Sequence, residues 1–151
     1  MSAFTAEVTW ERGDARFTDQ RYSRGHRWRF DGGQVVPASA SPHVVPLPYS
    51  VPENVDPEEA YVAALSSCHM LFFLSLAARA GIVVDRYRDR AEGAMEDTGG
   101  TTWVTRVVLH PEVSYAGAPP DRATEEDLHR RAHAMCFIAN SVKTVVETRL
   151  G

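Results

Sequence analysis

Residues 58–81, EEAYVAALSSCHMLFFLSLAARAG, form the most apolar segment of the chain, yet Ser66, Ser67, Cys68 and His69 sit in its middle. Asp56-Pro57-Glu58-Glu59 is a helix start: Asp at the N-cap, Pro at the first helical position, and two acids near the positive end of the dipole. Gly81 is the stop. Between them the segment is apolar on nearly every side, which predicts a central helix buried all round or a membrane span. The serines, Cys68, His69 and Arg79 argue against the span, so no membrane partner is expected. A small domain has little interior in which to bury such a helix, and a symmetric dimer packing helices together is the simpler solution.

Working outward, the chain of 151 residues is 44% hydrophobic and 24% charged, the balance of one globular domain with a sizeable core. Its net charge of −4 comes from 16 basic and 20 acidic residues that are interspersed, so nucleic acid is not an expected partner. The N-terminal MSAFTAEVTWERGD has no basic segment followed by an apolar one, and a cytoplasmic protein is expected.

The rest of the chain reads as α+β. Phe4, Ala6, Val8 and Trp10 alternate as in a half-buried strand, and Trp28 and Phe30, the turn Asp31-Gly32-Gly33, and Val35-Val36 make a hairpin. Five prolines between Pro42 and Pro57 then impose an irregular loop. Residues 82–95 and 101–115 alternate around the turn EDTGG as a long hairpin. A second helix follows the Pro-rich loop, with Thr124 and Asp127 as its capping box and Leu128, Ala132, Met135 and Cys136 at helical spacing. The tail VKTVVETRL is a short final strand.

Cys68 and Cys136 are the only cysteines, too few for a disulfide framework and enough for one redox pair. Each has a bland reading as an inert buried thiol. NVDPEEAYVAALSSCHM together with LHRRAHAMCFIANSV resembles the OsmC/Ohr family of thiol-dependent peroxidases, from the Arg24 region to about Val142. The resemblance implies a single OsmC-like domain over residues 1–151, α+β, paired as an intertwined homodimer with two long central helices flanked by antiparallel sheets. It also implies an enzyme, a thiol-dependent peroxidase that reduces organic hydroperoxides. Cys68 would be the peroxidatic cysteine and Cys136 the resolving one; Glu58 and Arg24 would complete the set. No cofactor or metal is implied; the partners are a small-molecule hydroperoxide and an external dithiol reductant.

The chemistry suits those residue types. Only a thiolate attacks the O–O bond, and a thiol of pKa ~8.5 needs a nearby cation to supply one at neutral pH. Arg24 would be that cation, oriented by Glu58 through bidentate hydrogen bonds. Glu58 stands ten residues before Cys68, roughly 15 Å along a helix axis, so the two cannot touch. Either Arg24 bridges part of that gap, or the geometry involves the partner subunit. A sulfenic acid on Cys68 would condense with Cys136, and a dithiol would restore both. Met70, Leu71, Phe72 and Phe73 would favour an apolar peroxide, or are plain core.

Alternatives stay open. Glu58 also reads as a helix N-terminal acid, and Arg24 as one of a solvated set with Arg21, Arg27 and Arg29, Arg27 being its rival. His69 reads as a hydrogen-bonded core histidine. In the hydroperoxide-resistance branch the first cysteine is followed by an apolar residue and the second by Pro-Tyr-Ser; here His69 and Phe137-Ile138-Ala139-Asn140 follow, as in the broader OsmC-like branch. His129, His133 and Cys136, at i, i+4 and i+7, would share a helix face as metal ligands with Cys68 or His69. A non-catalytic dimeric protein holding a small ligand is the third alternative.

Overall fold

The computed structural model describes all residues, Met1–Gly151, in two compact units, Met1–Ala60 and Tyr61–Gly151. In the first, β1 (Ala6–Thr9), β2 (His26–Phe30) and β3 (Val35–Ala38) form an antiparallel sheet in the order β1-β2-β3, with Trp28 opposite both Val8 and Val36. Gly33, at φ 91°, takes the left-handed position of the β2–β3 turn and donates to Phe30 O. β1 is exposed along its whole length, Val8 at 65%, so the alternation that predicts a half-buried strand does not become burial within this chain.

The proline-rich loop is fastened by side chains where its prolines cannot donate. Ser39 Oγ accepts from Val51 N at 2.9 Å, Ser50 Oγ donates to Val45 O at 2.7 Å, and Asn54 Nδ2 donates to Ala38 O at 3.0 Å. Ser39 and Ser50 are buried, their polar atoms satisfied as burial requires.

Helix α1 (Pro57–Arg79) begins in the first unit and runs into the second. Its start is a reciprocal box: Asp56 Oδ1 accepts from Glu59 N at 2.8 Å, and Glu59 Oε1 accepts from Asp56 N at 2.9 Å. Its end is a Schellman turn, Ile82 N donating to Ala77 O and Gly81 N to Ala78 O, with Gly81 at φ 74°. Burial is one-sided rather than all-round. Leu65, His69, Phe73, Leu76 and Ala77 are covered; Leu71 is 59% exposed.

The long hairpin is present but kinked into two tiers. β4 (Val84–Asp89) pairs with β7 (Pro111–Tyr115), and β5 (Glu92–Thr98) with β6 (Thr101–Leu109), all antiparallel. Gly99 and Gly100, at φ 64° and 86°, supply the two left-handed residues that a two-residue hairpin turn demands. At the kink, Asp89 Oδ1 accepts from His110 N at 2.6 Å, and its other oxygen accepts from Ser66 Oγ. The final strand β8 (Val145–Thr148) lies parallel to β6.

Helix α2 (Arg122–Met135) starts one turn ahead of the expected box. Asp121 is the N-cap and accepts from Thr124 N at 2.8 Å, so Thr124 is a recipient of the cap. Two buried clusters hold this unit. Phe73, Leu76 and Ala77 of α1 meet Leu128 and Ala132 of α2, and Leu65 meets Val107 and Leu109 of β6.

Candidate active site

The two cysteines, 68 positions apart, are brought together. Cys68 lies on the open side of α1, half-buried, while Cys136 is 1% exposed. Both are free thiols, near enough that Cys68 raises the pKa of Cys136. Burial pushes the Cys136 thiol above its ordinary pKa, and the neighbouring Cys68 pushes it further; a backbone N–H from Ala139, 3.4 Å from Sγ, works the other way. Cys136 therefore holds its proton at neutral pH.

Cys136 is not in the body of α2. Its backbone, at φ −61° and ψ 115°, has left the helix, and it serves as the C-cap before a short 3-10 turn, Ala139–Ser141. Asn140 closes this end, its Nδ2 donating to Ala134 O and Cys136 O, both at 3.0 Å.

Cys68 opens onto a cleft of about 350 Å³. Ala64, Cys68, Leu71 and Ser75, at i, i+4, i+7 and i+11, form one stripe of α1 along it, with Ser67 and Phe72 beside them and Phe137 facing. Phe72 and Phe137 meet edge to face, centroids 4.9 Å apart. Of the apolar residues expected as walls, Leu71 and Phe72 take that role, whereas Phe73 is wholly buried in the core and Met70 is not on the cleft. Phe137, which sequence reasoning missed, joins the wall because the chain leaves α2 at Cys136.

Glu58 occupies the first turn of α1, and its Oε2 is buried without a hydrogen-bond partner. Arg24 is half-buried and engaged by its own loop: it donates to Gln20 O, Tyr22 O and Gln20 Oε1, and its guanidinium stacks 3.6 Å over the Tyr22 ring. No ion pair joins Arg24 to Glu58. Arg27 stands on the exposed face of β2, opposite Pro37.

The proposed His/Cys metal face does not assemble, and no three His, Cys, Asp or Glu side chains in the chain converge as a ligand set. Cys136 has turned out of the helix, and His129 is buried with its Nδ1 2.9 Å from His69 Nε2. His69 is thus a hydrogen-bonded core histidine, with a partner 60 residues away. A second cleft, about 340 Å³, runs along α2 beside Arg122, His133 and Arg130, but those arginines already pair with Glu126 and Asp127.

A family model described as OsmC-like protein matches residues 51–150. Among solved structures, an OsmC-like protein of unknown function from Vibrio cholerae is 55% identical over the whole of both chains, with a TM-score of 0.96. An organic hydroperoxide resistance protein from Elizabethkingia anophelis shares the fold at 18% identity, covering 99% of this chain and 94% of its own, with a TM-score of 0.71. The uncharacterized protein YmaD of Bacillus subtilis is 22% identical over 100 residues, 65% of this chain and 67% of its own. With two helices, antiparallel sheets and a family match across two thirds of its length, the chain belongs to the OsmC-like family.

Proposed function

We propose that the protein reduces organic hydroperoxides with its two thiols, Cys68 attacking and Cys136 resolving. The observation that carries this reading is the pairing of an accessible thiol on an apolar cleft with a buried thiol beside it. Their exposures support these roles: the peroxide would reach Cys68 through the cleft, with Cys136 behind it as a thiol.

In the first step the Cys68 thiolate attacks the outer oxygen of ROOH. The O–O bond breaks, a proton goes to the leaving alkoxide, and ROH departs from a Cys68 sulfenic acid. In the second, Cys136 attacks the Cys68 sulfur, the S–O bond breaks and water leaves as the disulfide forms. An external dithiol returns two electrons and two protons by thiol–disulfide exchange. Leu71, Phe72 and Phe137 favour an alkyl or aryl peroxide over hydrogen peroxide, because an apolar tail gains about 25 cal/mol per Å² that it buries.

Arg24 and Glu58 belong to this proposal as the pair that stabilises the thiolate. Glu58 Oε2, buried and unpartnered, supports a cationic neighbour in the working protein, since such an oxygen costs free energy until it is satisfied. The working protein is taken to be a homodimer, a reading supported by the apolar side of α1 that this chain leaves open.

The test is a titration of wild type, Cys68→Ser and Cys136→Ser with cumene hydroperoxide. Wild type should lose two thiols per equivalent, Cys68→Ser should consume no peroxide, and Cys136→Ser should accumulate a sulfenic acid trappable by a 1,3-dione. Thiols that survive an excess of hydroperoxide would sink the reading and favour a non-catalytic ligand-binding protein.

A further inference from the structure

The helices that carry the thiols are also joined by their histidines. His69 follows Cys68 directly, and His129 lies seven residues before Cys136. The two ring planes are within 2° of parallel, and their 5.2 Å centroid separation is what a straight line through both bonding nitrogens would give, so the 2.9 Å contact between His69 Nε2 and His129 Nδ1 is an in-plane hydrogen bond. Both side chains are buried, at 1% and 3% exposure, and the Phe73 ring stacks 4.2 Å from His129. Burial holds both imidazoles at pKa values of about 4, and so neutral at pH 7, one donating and the other accepting.

The other two nitrogens, His69 Nδ1 and His129 Nε2, have no partner in the chain. One mutual bond is thus the whole polar return on desolvating two imidazoles, where a leucine or phenylalanine would fill the space without that cost. A bond this directional supplies placement. Apolar contact between α1 and α2 tolerates small slides, whereas an in-plane bond between two rings locked by packing does not.

We propose that His69 and His129 are positioning residues that hold α1 and α2 in the register keeping Cys68 and Cys136 within disulfide reach, so that they govern closure of the disulfide and leave the attack on peroxide unaffected. The inference rests on the dithiol reading above. A disulfide needs Cα atoms about 4.4–6.8 Å apart with correctly aimed Cβ vectors, so a slide on the order of 1 Å penalises closure. Attack by Cys68 needs only its own cleft.

The experiment separates the two steps and does not depend on turnover. The dithiol–disulfide equilibrium is measured in mixtures of reduced and oxidised glutathione, where one disulfide exchanges for another, for wild type, His129→Phe and His129→Gln. His129→Phe should lower the effective concentration of one thiol toward the other about ten-fold or more, and His129→Gln, which retains an amide to bond His69, should recover most of that loss. On a Cys136→Ser background, His129→Phe should leave the rate of sulfenic acid formation within two-fold.

An equilibrium within two-fold of wild type in His129→Phe overturns the proposal, as does a sulfenic acid rate that falls by the same factor. If His129→Phe does not fold, His129→Gln is compared with His129→Leu, and equal equilibria in those two overturn it. A wild type that closes its disulfide in glutathione but ignores hydroperoxide removes the peroxidase reading and leaves the positioning role standing. A wild type that forms no disulfide in either removes both.

Discussion

The two sides of α1 differ in what they are for. One side, Leu65, His69, Phe73, Leu76 and Ala77, is closed against the sheets and α2 and holds this half of the molecule together. The other, Ala64, Cys68, Leu71 and Ser75, lies along an open cleft and presents the Cys68 sulfur to it. Successive residues stand about 100° apart around a helix, so neighbours such as Cys68 and His69 belong to different sides. The lesson is that apolarity on every side of a helix need not mean burial on every side.

Substitutions measure that contrast. Phe73→Ala empties a wholly buried ring site and should cost about 3–5 kcal/mol in denaturant unfolding. Acid strikes the same closed side next. The folded pKa values of His69 and His129, about 4, lie below the ordinary 6.5, so the unfolded chain takes up protons first as pH falls. Stability should be fully present above pH ~6.5 and fall on the order of 3 kcal/mol for each histidine toward pH ~4, flattening below. Burial is the main cause; for His69 the neighbouring His129 and His133 add to it, and Asp89 opposes. His129→Gln should shallow that slope, and an unchanged pH profile would deny that the pair titrates.

Smaller effects follow. A Cβ at Gly93 would lie 2.7 Å from Val62 Cγ2, a stiff β-branched methyl of α1, so Gly93→Ala should cost about 1–3 kcal/mol. Leu71→Ala, on the open side, should change unfolding of the isolated chain by within about 0.5 kcal/mol. Where a second copy covers that side, the cost rises and the melting temperature depends on protein concentration, which thermal melts over a hundred-fold dilution series will read.

Much of the molecule was legible from local chemistry. Asp56-Pro57-Glu58-Glu59 and Gly81 delimited α1 because capping is decided within four residues, and Asp31-Gly32-Gly33 and Gly99-Gly100 marked turns that other residues take only under strain. The pairing of Cys68 with Cys136 was suggested by family resemblance, and periodicity alone would not have found it. What escaped was set by distant or competing contacts. Asp121 outcompetes Thr124 as the cap, a choice between two short polar side chains one turn apart. Cys136 continued the helical spacing of Leu128 and Ala132, yet Asn140 claims its carbonyl and ends the helix there. The His69–His129 bond joins residues 60 positions apart, which no local pattern encodes. Arg24 was read as the cation that would serve the thiol or as one of a solvated set, and its engagement with Gln20 and Tyr22 is a loop geometry with no signal in the spacing of arginines.

The position of Cys136 at the very end of α2 has a mechanical meaning. Helix ends fray before helix middles, so the segment bearing this sulfur is the part of α2 that opens at the lowest free energy. Fraying withdraws one sulfur from the other, and a covalent bond to Cys68 would forbid it. On the proposed dithiol reading the thiol pair would also be a latch: amide protons at the C-terminal turn of α2 should exchange freely while both thiols are reduced and slow down once a disulfide joins them.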